Sequence, residues 1–163
     1  MDPSANPTRN RRTHGLAEVA AIALGAKQGA LPAPVERVRA YAGRGLEGEY
    51  HLAPQRAESG AAITLIAEEA LAGLRDDTGI ALSHAESRRN VLTRGVDLNG
   101  LVGRRFRVGD VECEGVELCE PCLGLARLVD EFGVLRGLVH RGGLRADVLT
   151  DGEIAVGDAV EAL

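Results

Sequence analysis

The sequence contains no Trp, two Tyr and two Phe, so aromatic residues make up only 2% of its 163 positions. That scarcity argues against a single-strand nucleic-acid binder, which stacks bases on aromatic platforms. The net charge of −5 argues the same way, because phosphate backbones are held by basic surfaces. Lysine is almost absent too: Lys27 stands alone against eighteen Arg. Pyridoxal-phosphate chemistry needs a Lys for its Schiff base, and nothing around Lys27 resembles such a site, so no pyridoxal phosphate is expected. Three Cys are too few for a disulfide scaffold. No apolar run approaches the roughly 18 residues of a membrane-crossing helix. Arg11-Arg12 precedes the apolar run from Val19 to Ala26 and faintly resembles an export signal, but Thr13-His14-Gly15 follows the pair and Glu18 interrupts the approach. The expectation is a protein of the reducing cytoplasm, its Cys residues free thiols or ligands, with neither membrane nor nucleic acid as partner.

What remains is 45% hydrophobic and 26% charged, the balance of a globular domain whose core is built from Val, Leu, Ile and Ala. Residues 1–14 are polar, hold two Pro and three Arg, and read as a disordered tail. Residues 15–163 suit one domain. Strand patterns fall at Gly15–Leu24, Val35–Ala40, Ile63–Ile66, Asn90–Thr93, Gly103–Val108, Val111–Leu118, Ala146–Thr150, Glu153–Val156 and Ala159–Leu163. Gly109-Asp110 reads as a hairpin turn, and Arg107–Val111 is echoed at Ala155–Ala159, with Asp151-Gly152 and Gly157-Asp158 as further turns of the same type. Helical spacing appears twice. Ala67, Ala70, Leu71 and Leu74 share a face that Gly79 should stop, and Leu125, Leu128 and Val129 share one after Pro121, with Gly133 near its end. Many short strands with Gly-Asp turns predict a mainly β fold, a closed or partly open barrel with a few peripheral helices. The strands and helices do not alternate regularly enough for a doubly wound sheet.

Three clusters carry chemical potential. In Leu118-Cys119-Glu120-Pro121-Cys122 the Cys pair reads as a redox dithiol, as part of a zinc set with Cys113 and His140, as two core residues, or as one thiolate at a helix start. Pro121 suits a first helical turn, and a helix N-terminus favours a thiolate, which suits a soft metal or a persulfide. Ser87-Arg88-Arg89-Asn90, with Arg94 close by, offers Arg and amide groups for a phosphate and a heterocycle edge; on a strand, Arg88 and Asn90 would point the same way. His140-Arg141-Gly142-Gly143-Leu144-Arg145 offers backbone N–H groups freed by two Gly and flanked by two Arg. Each of the last two also reads as a plain charged surface. The Arg excess itself fits a GC-rich genome as well as anion binding.

The order of these pieces resembles the MOSC domain, the module named from the C-terminal part of molybdenum-cofactor sulfurases. The resemblance runs through Gly45-Leu46-Glu47-Gly48-Glu49-Tyr50-His51, Arg88-Arg89-Asn90 with Gly95, Gly103 to Gly109-Asp110, Glu120-Pro121-Cys122, and Val156-Gly157-Asp158. Leu138–Ala146 resembles the small stand-alone members. In the first motif Glu49 stands where the family has Asp and Tyr50 where it has Arg, which removes one anion contact.

The resemblance implies a barrel of the MOSC or pyruvate-kinase-barrel type. It implies that Cys122 is the catalytic thiol and metal ligand, binding the molybdenum cofactor (molybdopterin). Arg88, Asn90, Arg94, His140, Arg141, Gly142, Gly143 and Arg145 would then hold the cofactor, and Arg88, Asn90, His140 and Arg141 should line one cleft with Cys122. Two roles follow: a cofactor-dependent oxidoreductase acting on N-hydroxylated compounds with an electron-donor partner, or a sulfur carrier whose Cys122 persulfide passes between donor and acceptor proteins. His51 and His140 are the acid–base candidates by chemistry and position.

Overall fold

The computed structural model describes residues 17–163; the expected tail at 1–14 and the Arg11-Arg12 pair lie outside them. Eleven strands are present among the described residues. They are β1 (Glu18–Leu24), β2 (Ala33–Val35), β3 (Arg37–Tyr41), β4 (Gly45–Leu46), β5 (Ile63–Ala67), β6 (Val91–Arg94), β7 (Arg105–Val108), β8 (Val111–Leu118), β9 (Leu144–Val148), β10 (Gly152–Ala155) and β11 (Val160–Ala162). The helices are α1 (Glu68–Thr78), α2 (His84–Ser87), α3 (Leu123–Leu128) and α4 (Val134–Gly137).

Eight strands form one curled sheet in the order β11-β7-β8-β9-β5-β6-β1-β2, and β10-β3-β4 form a small second sheet. The alternation of apolar and polar residues sets the registers. Leu118 faces Leu144, Leu144 faces Leu65, Leu65 faces Val91, and Val91 faces Ile22, so one row of aliphatic side chains crosses five strands. Leu144, Leu65, Val91 and Ile22 of this row join Phe106, Val108 and Val111 from the expected hairpin, and Val38, Ala40, Leu46 and Ile154 from the small sheet, in a single buried cluster. The sheet then comes round on itself. Val19 N–H donates to Asp158 O (2.8 Å), Gly157 N–H to Val19 O (2.8 Å) and Val160 N–H to Ala17 O (3.0 Å), tying the start of β1 to the approach to β11. The expected barrel is therefore present.

Helix α1 carries the chain from β5 to β6, which run parallel. It is capped as its sequence suggests, with Glu68 and Glu69 in its first turn and Gly79 left-handed beyond its end. Helices α1, α3 and α4 share a second, smaller core of Leu74, Leu82, Leu125, Ala126, Val134 and Leu138.

Two expectations need correction. Asp151-Gly152 and Gly157-Asp158 do not close hairpins, because β10 pairs with β3 while β9 and β11 belong to the large sheet. The apolar Ile154 carries β10 over the barrel interior, and β3 lies ready to pair with it there. The second helix is shorter than its spacing suggests. It ends at Leu128, which is exposed, Asp130 turns left-handed, and Gly133 begins α4 rather than ending α3.

Candidate functional site

Cys122 is the N-cap of α3, one position earlier than a first-turn residue. Its backbone is extended and its Sγ accepts the Leu125 N–H at 3.5 Å, as an N-cap side chain should. Pro121 therefore precedes the cap. Of the three Cys residues, Cys122 is exposed while Cys113 and Cys119 are buried. Cys113 lies inside the barrel on β8, where burial first and Asp147 second push its thiol up to about 12. That placement removes Cys113 from any shared zinc set. Among the described residues no group of three or more His, Cys, Asp or Glu side chains is placed to hold a metal ion.

The turn that carries Cys122 rests against the residues that lead into β9. Cys119 N–H donates to Gly143 O at 2.7 Å, and Gly142 packs on Cys119 O and on Pro121. A Cβ on Gly142 would strike Cys119 O, and one on Gly143, where φ is +114°, would strike Leu65 O. These two Gly are thus required by close approach of backbones, and both are buried instead of offering N–H groups to solvent. Glu120, between the two Cys, accepts both the His140 backbone N–H (3.0 Å) and His140 Nδ1 (3.1 Å). Those bonds, the backbone one foremost, hold the Glu120 carboxyl below the ordinary carboxylate range. His140 is exposed and sits in the left-handed region (φ 61°), with its carbonyl clamped by Asn99 Nδ2 at 2.7 Å.

Three consecutive side chains at 88–90 leave in three directions. Arg88 turns away from the thiol, donating from Nη1 to Ala30 O (2.8 Å) and from Nη2 to Gly29 O (3.3 Å), and its buried Nε has no partner. Asn90 is spent internally: it joins Thr64 of β5, the Ala23 carbonyl and Glu49. Glu49 itself is buried and accepts from Gly25 N–H (2.7 Å), Asn90 Nδ2 (3.2 Å) and His51 Nδ1 (3.2 Å). The first and second sequence motifs meet at this carboxylate, so Glu in place of Asp keeps a defined role there.

Arg89 is the residue that sequence reasoning passed over. It is only 9% exposed. Nε donates to Gly142 O (2.9 Å), Nη1 to Ser87 O (3.1 Å) and Nη2 to Cys119 O (3.2 Å). Burial pushes its guanidinium below its ordinary value. The nearby Cys119 and Cys122 raise it and Arg145 lowers it further. The hydrogen-bond partners of Arg89 are all backbone carbonyls, while Glu117 stands opposite Arg145 across β8 and β9 and Glu120 lies between the two Cys. Arg88 is the C-cap of α2 and takes a left-handed backbone (φ 60°), and it is Arg89 rather than Arg88 that reaches the Cys119 carbonyl. The α2 capping box, Ser83 with Glu86, could have revealed that a short helix begins just ahead of Arg88, where a plain strand entrance was expected.

Of the expected cofactor residues, Arg145 fits this arrangement: it is exposed on β9 and, among the described residues, in no ion pair. Arg94 does not, because its guanidinium is held by Glu68 (2.7 Å) and Glu18 (2.8 Å) on the outer surface. Arg141 does not either: Nε donates to Gly137 O and Nη2 to Asp77 (2.8 Å), which draws it beneath α1. Of the five residues expected to line one cleft, Cys122 and His140 stay neighbours through Glu120, while Arg88, Asn90 and Arg141 are engaged elsewhere.

The MOSC domain family model matches residues 47–161, most of the chain. Among solved structures, the chain is similar to the YUAD protein from Bacillus subtilis, with 16% identity, a TM-score of 0.77, and 90% of this chain and 94% of that one covered. It is also similar to YiiM from Geobacillus stearothermophilus (15%, 0.70, 90% and 75%) and to YiiM from Escherichia coli (17%, 0.65, 89% and 69%). At such identities the likeness speaks for the fold. No curated protein matches the chain.

Proposed function

The chain belongs to the MOSC domain family, and from that premise we propose that it holds the molybdenum cofactor through the Cys122 sulfur, in a reductase of N-hydroxylated compounds. The observation that carries this reading is Arg89. A buried guanidinium whose partners are all neutral carbonyls is costly unless an anion approaches it. Here it reaches the Cys119 carbonyl on the turn that carries the Cys122 sulfur, and the charge of a second guanidinium, Arg145, acts on it. That donor set fits a group with a thiophilic metal at one end and a phosphate on the other. Cys122 would ligate the metal, Arg89 and Arg145 would meet the anionic parts, and His140 would stand at the rim, fixed by Glu120 and Asn99. Arg89 would also orient the Cys119 carbonyl and so hold the turn on which Cys122 sits. When bound, the cofactor supplies the two-electron chemistry that such a reduction needs, with electrons from a separate donor protein.

The exposure of Cys122 favours a second reading, a sulfur carrier whose persulfide is reached by a partner. The test is metal and sulfane-sulfur analysis of protein purified from a molybdenum-replete host, for wild type, Cys122→Ser and Cys119→Ser. Stoichiometric molybdenum lost in Cys122→Ser and only modestly reduced in Cys119→Ser supports the reductase. Sulfane sulfur on Cys122 without molybdenum supports the carrier. Full retention of both by Cys122→Ser, with an unchanged melt, overturns the reading altogether.

A further inference from the structure

We propose that the stretch ending in Gly15-Leu16 docks along the open edge of β11 as the closing segment of the ring, and that it thereby buttresses the loop that holds His140. The seal between β1 and β11 fixes where that stretch must go. Glu18 stands opposite Ala159, and Val160 N–H donates to Ala17 O at 3.0 Å. The same antiparallel register places Leu16 opposite Glu161 and Gly15 opposite Ala162. The direction of the β11 backbone groups agrees. Ala159 O accepts from Gly109 N–H and Leu163 N–H donates to Arg105 O, each at 3.0 Å on the β7 side. Ladder groups alternate along a strand, so the N–H and C=O of Val160 and Ala162 face the other way. Val160 meets Ala17 there, and Ala162 faces the position that Gly15 would take. The strand pattern in the sequence also begins at Gly15.

A groove of about 480 Å³ opens at that position, with Ala17 at its head. One wall is Val160 and Ala162 of β11, and the other is Val96 and Asp97 with Leu101. The walls part because β6 follows β1 only as far as the Glu18–Arg94 pair, after which Gly95 turns left-handed (φ 72°). A chain entering the groove therefore finds a backbone edge on one side and apolar side chains on the other. Residues 1–16 are continuous with Ala17, so their last stretch is tethered at the mouth of the groove. That tether gives it an effective concentration that a separate strand cannot match. The second wall runs on to Asn99, whose Nδ2 holds His140 O at 2.7 Å. A segment packed on Val96 and Leu101 limits the travel of that loop and steadies His140. The docking is independent of what Cys122 binds.

Amide hydrogen exchange at Ala162 in the full chain is the test. Exchange there is expected to be about tenfold slower, or more, than in a chain lacking residues 1–16 or in Gly15→Pro, whose ring removes the N–H that faces Ala162. Leu163 N–H, bonded to Arg105 O with or without the segment, is the internal reference. The His140 ring resonances should move in the same two variants. Because the full chain is read directly, an unprotected Ala162 overturns the docking even if a variant folds poorly. Protection that appears only as protein concentration rises, together with a dimer in sedimentation, puts a second copy on the edge and overturns it as well. Protection that persists in both variants does the same. Loss of protection in both variants with His140 unmoved overturns the buttress.

Discussion

The barrel interior and the mouth around Cys122 are built on different terms. The interior is one cluster of aliphatic side chains around Phe106, with its Cys, Cys113, serving as another apolar group. It depends on area and fit, which are non-directional. Beside it the chain buries Ser87, Arg89 and Asn90, with Glu49 behind Asn90, and each must find its donors or acceptors. Such a region depends on direction: removing one partner leaves the other desolvated and unbonded. The same thiol is therefore inert in one region and chemically available in the other.

The largest expected effect comes from the interior. Phe106→Ala should cost about 3–5 kcal/mol, a sizeable part of the whole stability of a domain. Urea unfolding would measure it, and native-state alkylation of Cys122 should be unchanged. If alkylation changes as well, the two regions are not separable. Next comes the mouth. Arg89→Met breaks three bonds and orphans the Gly142 and Cys119 carbonyls, for about 2–3 kcal/mol. Phosphate or sulfate should raise the melting temperature of wild type but not of Arg89→Met, and an equal rise in both would remove Arg89 from the anion site. Glu49→Gln keeps the shape but gives up the charge that receives Gly25 N–H and Asn90, for about 1 kcal/mol. Proton exchange at Gly25 should rise in that variant.

A gentler probe is pH. Burial pushes His84 below its ordinary 6.5, and its ring bonds the Arg89 carbonyl at 2.8 Å. The unfolded chain therefore takes up the proton first as pH falls through 6.5, so stability declines below that point until the folded ring also titrates. Melting curves from neutral to mildly acid pH should show this decline in wild type and a flatter one in His84→Gln. A melt that rises on acidification contradicts the assignment. The smallest effect is expected at Arg94. Its exposed pairs with Glu18 and Glu68 are screened by solvent, so Arg94→Ala should leave the melt nearly unchanged in physiological salt.

The sequence was most legible where the pattern is periodic. The alternation in Arg105–Leu118 specified β7 and β8 and their turn, and Gly79 marked the end of α1. The motif order pointed to the barrel. It was least legible where one backbone angle redirects a chain. Arg88 and Asn90 would share a face on an uninterrupted strand, yet behind the left-handed Arg88 it is Arg89 that reaches the Cys119 carbonyl. Likewise Gly142-Gly143 reads as an anion cradle from composition, whereas the backbone of β5 and the Cys119 carbonyl already fill that space. Pairing partners were also hidden, since nothing local in Gly152–Ala155 says that it joins β3.

The bonds that bring β1 round to β11 have a temporal meaning. Ala17 and Val19 meet Gly157, Asp158 and Val160, so the ring is sealed by residues from the two ends of the described chain. During synthesis β1 emerges first and waits, one edge unsatisfied, until the strand that completes it has left the ribosome. A nascent chain halted before Gly157 carries every residue of the mouth, Cys122 included, on an open sheet. Closure joins the most distant parts of the chain and should be the slow step of folding. The thiol would thus reach its place in the chain well before the barrel beneath it is locked.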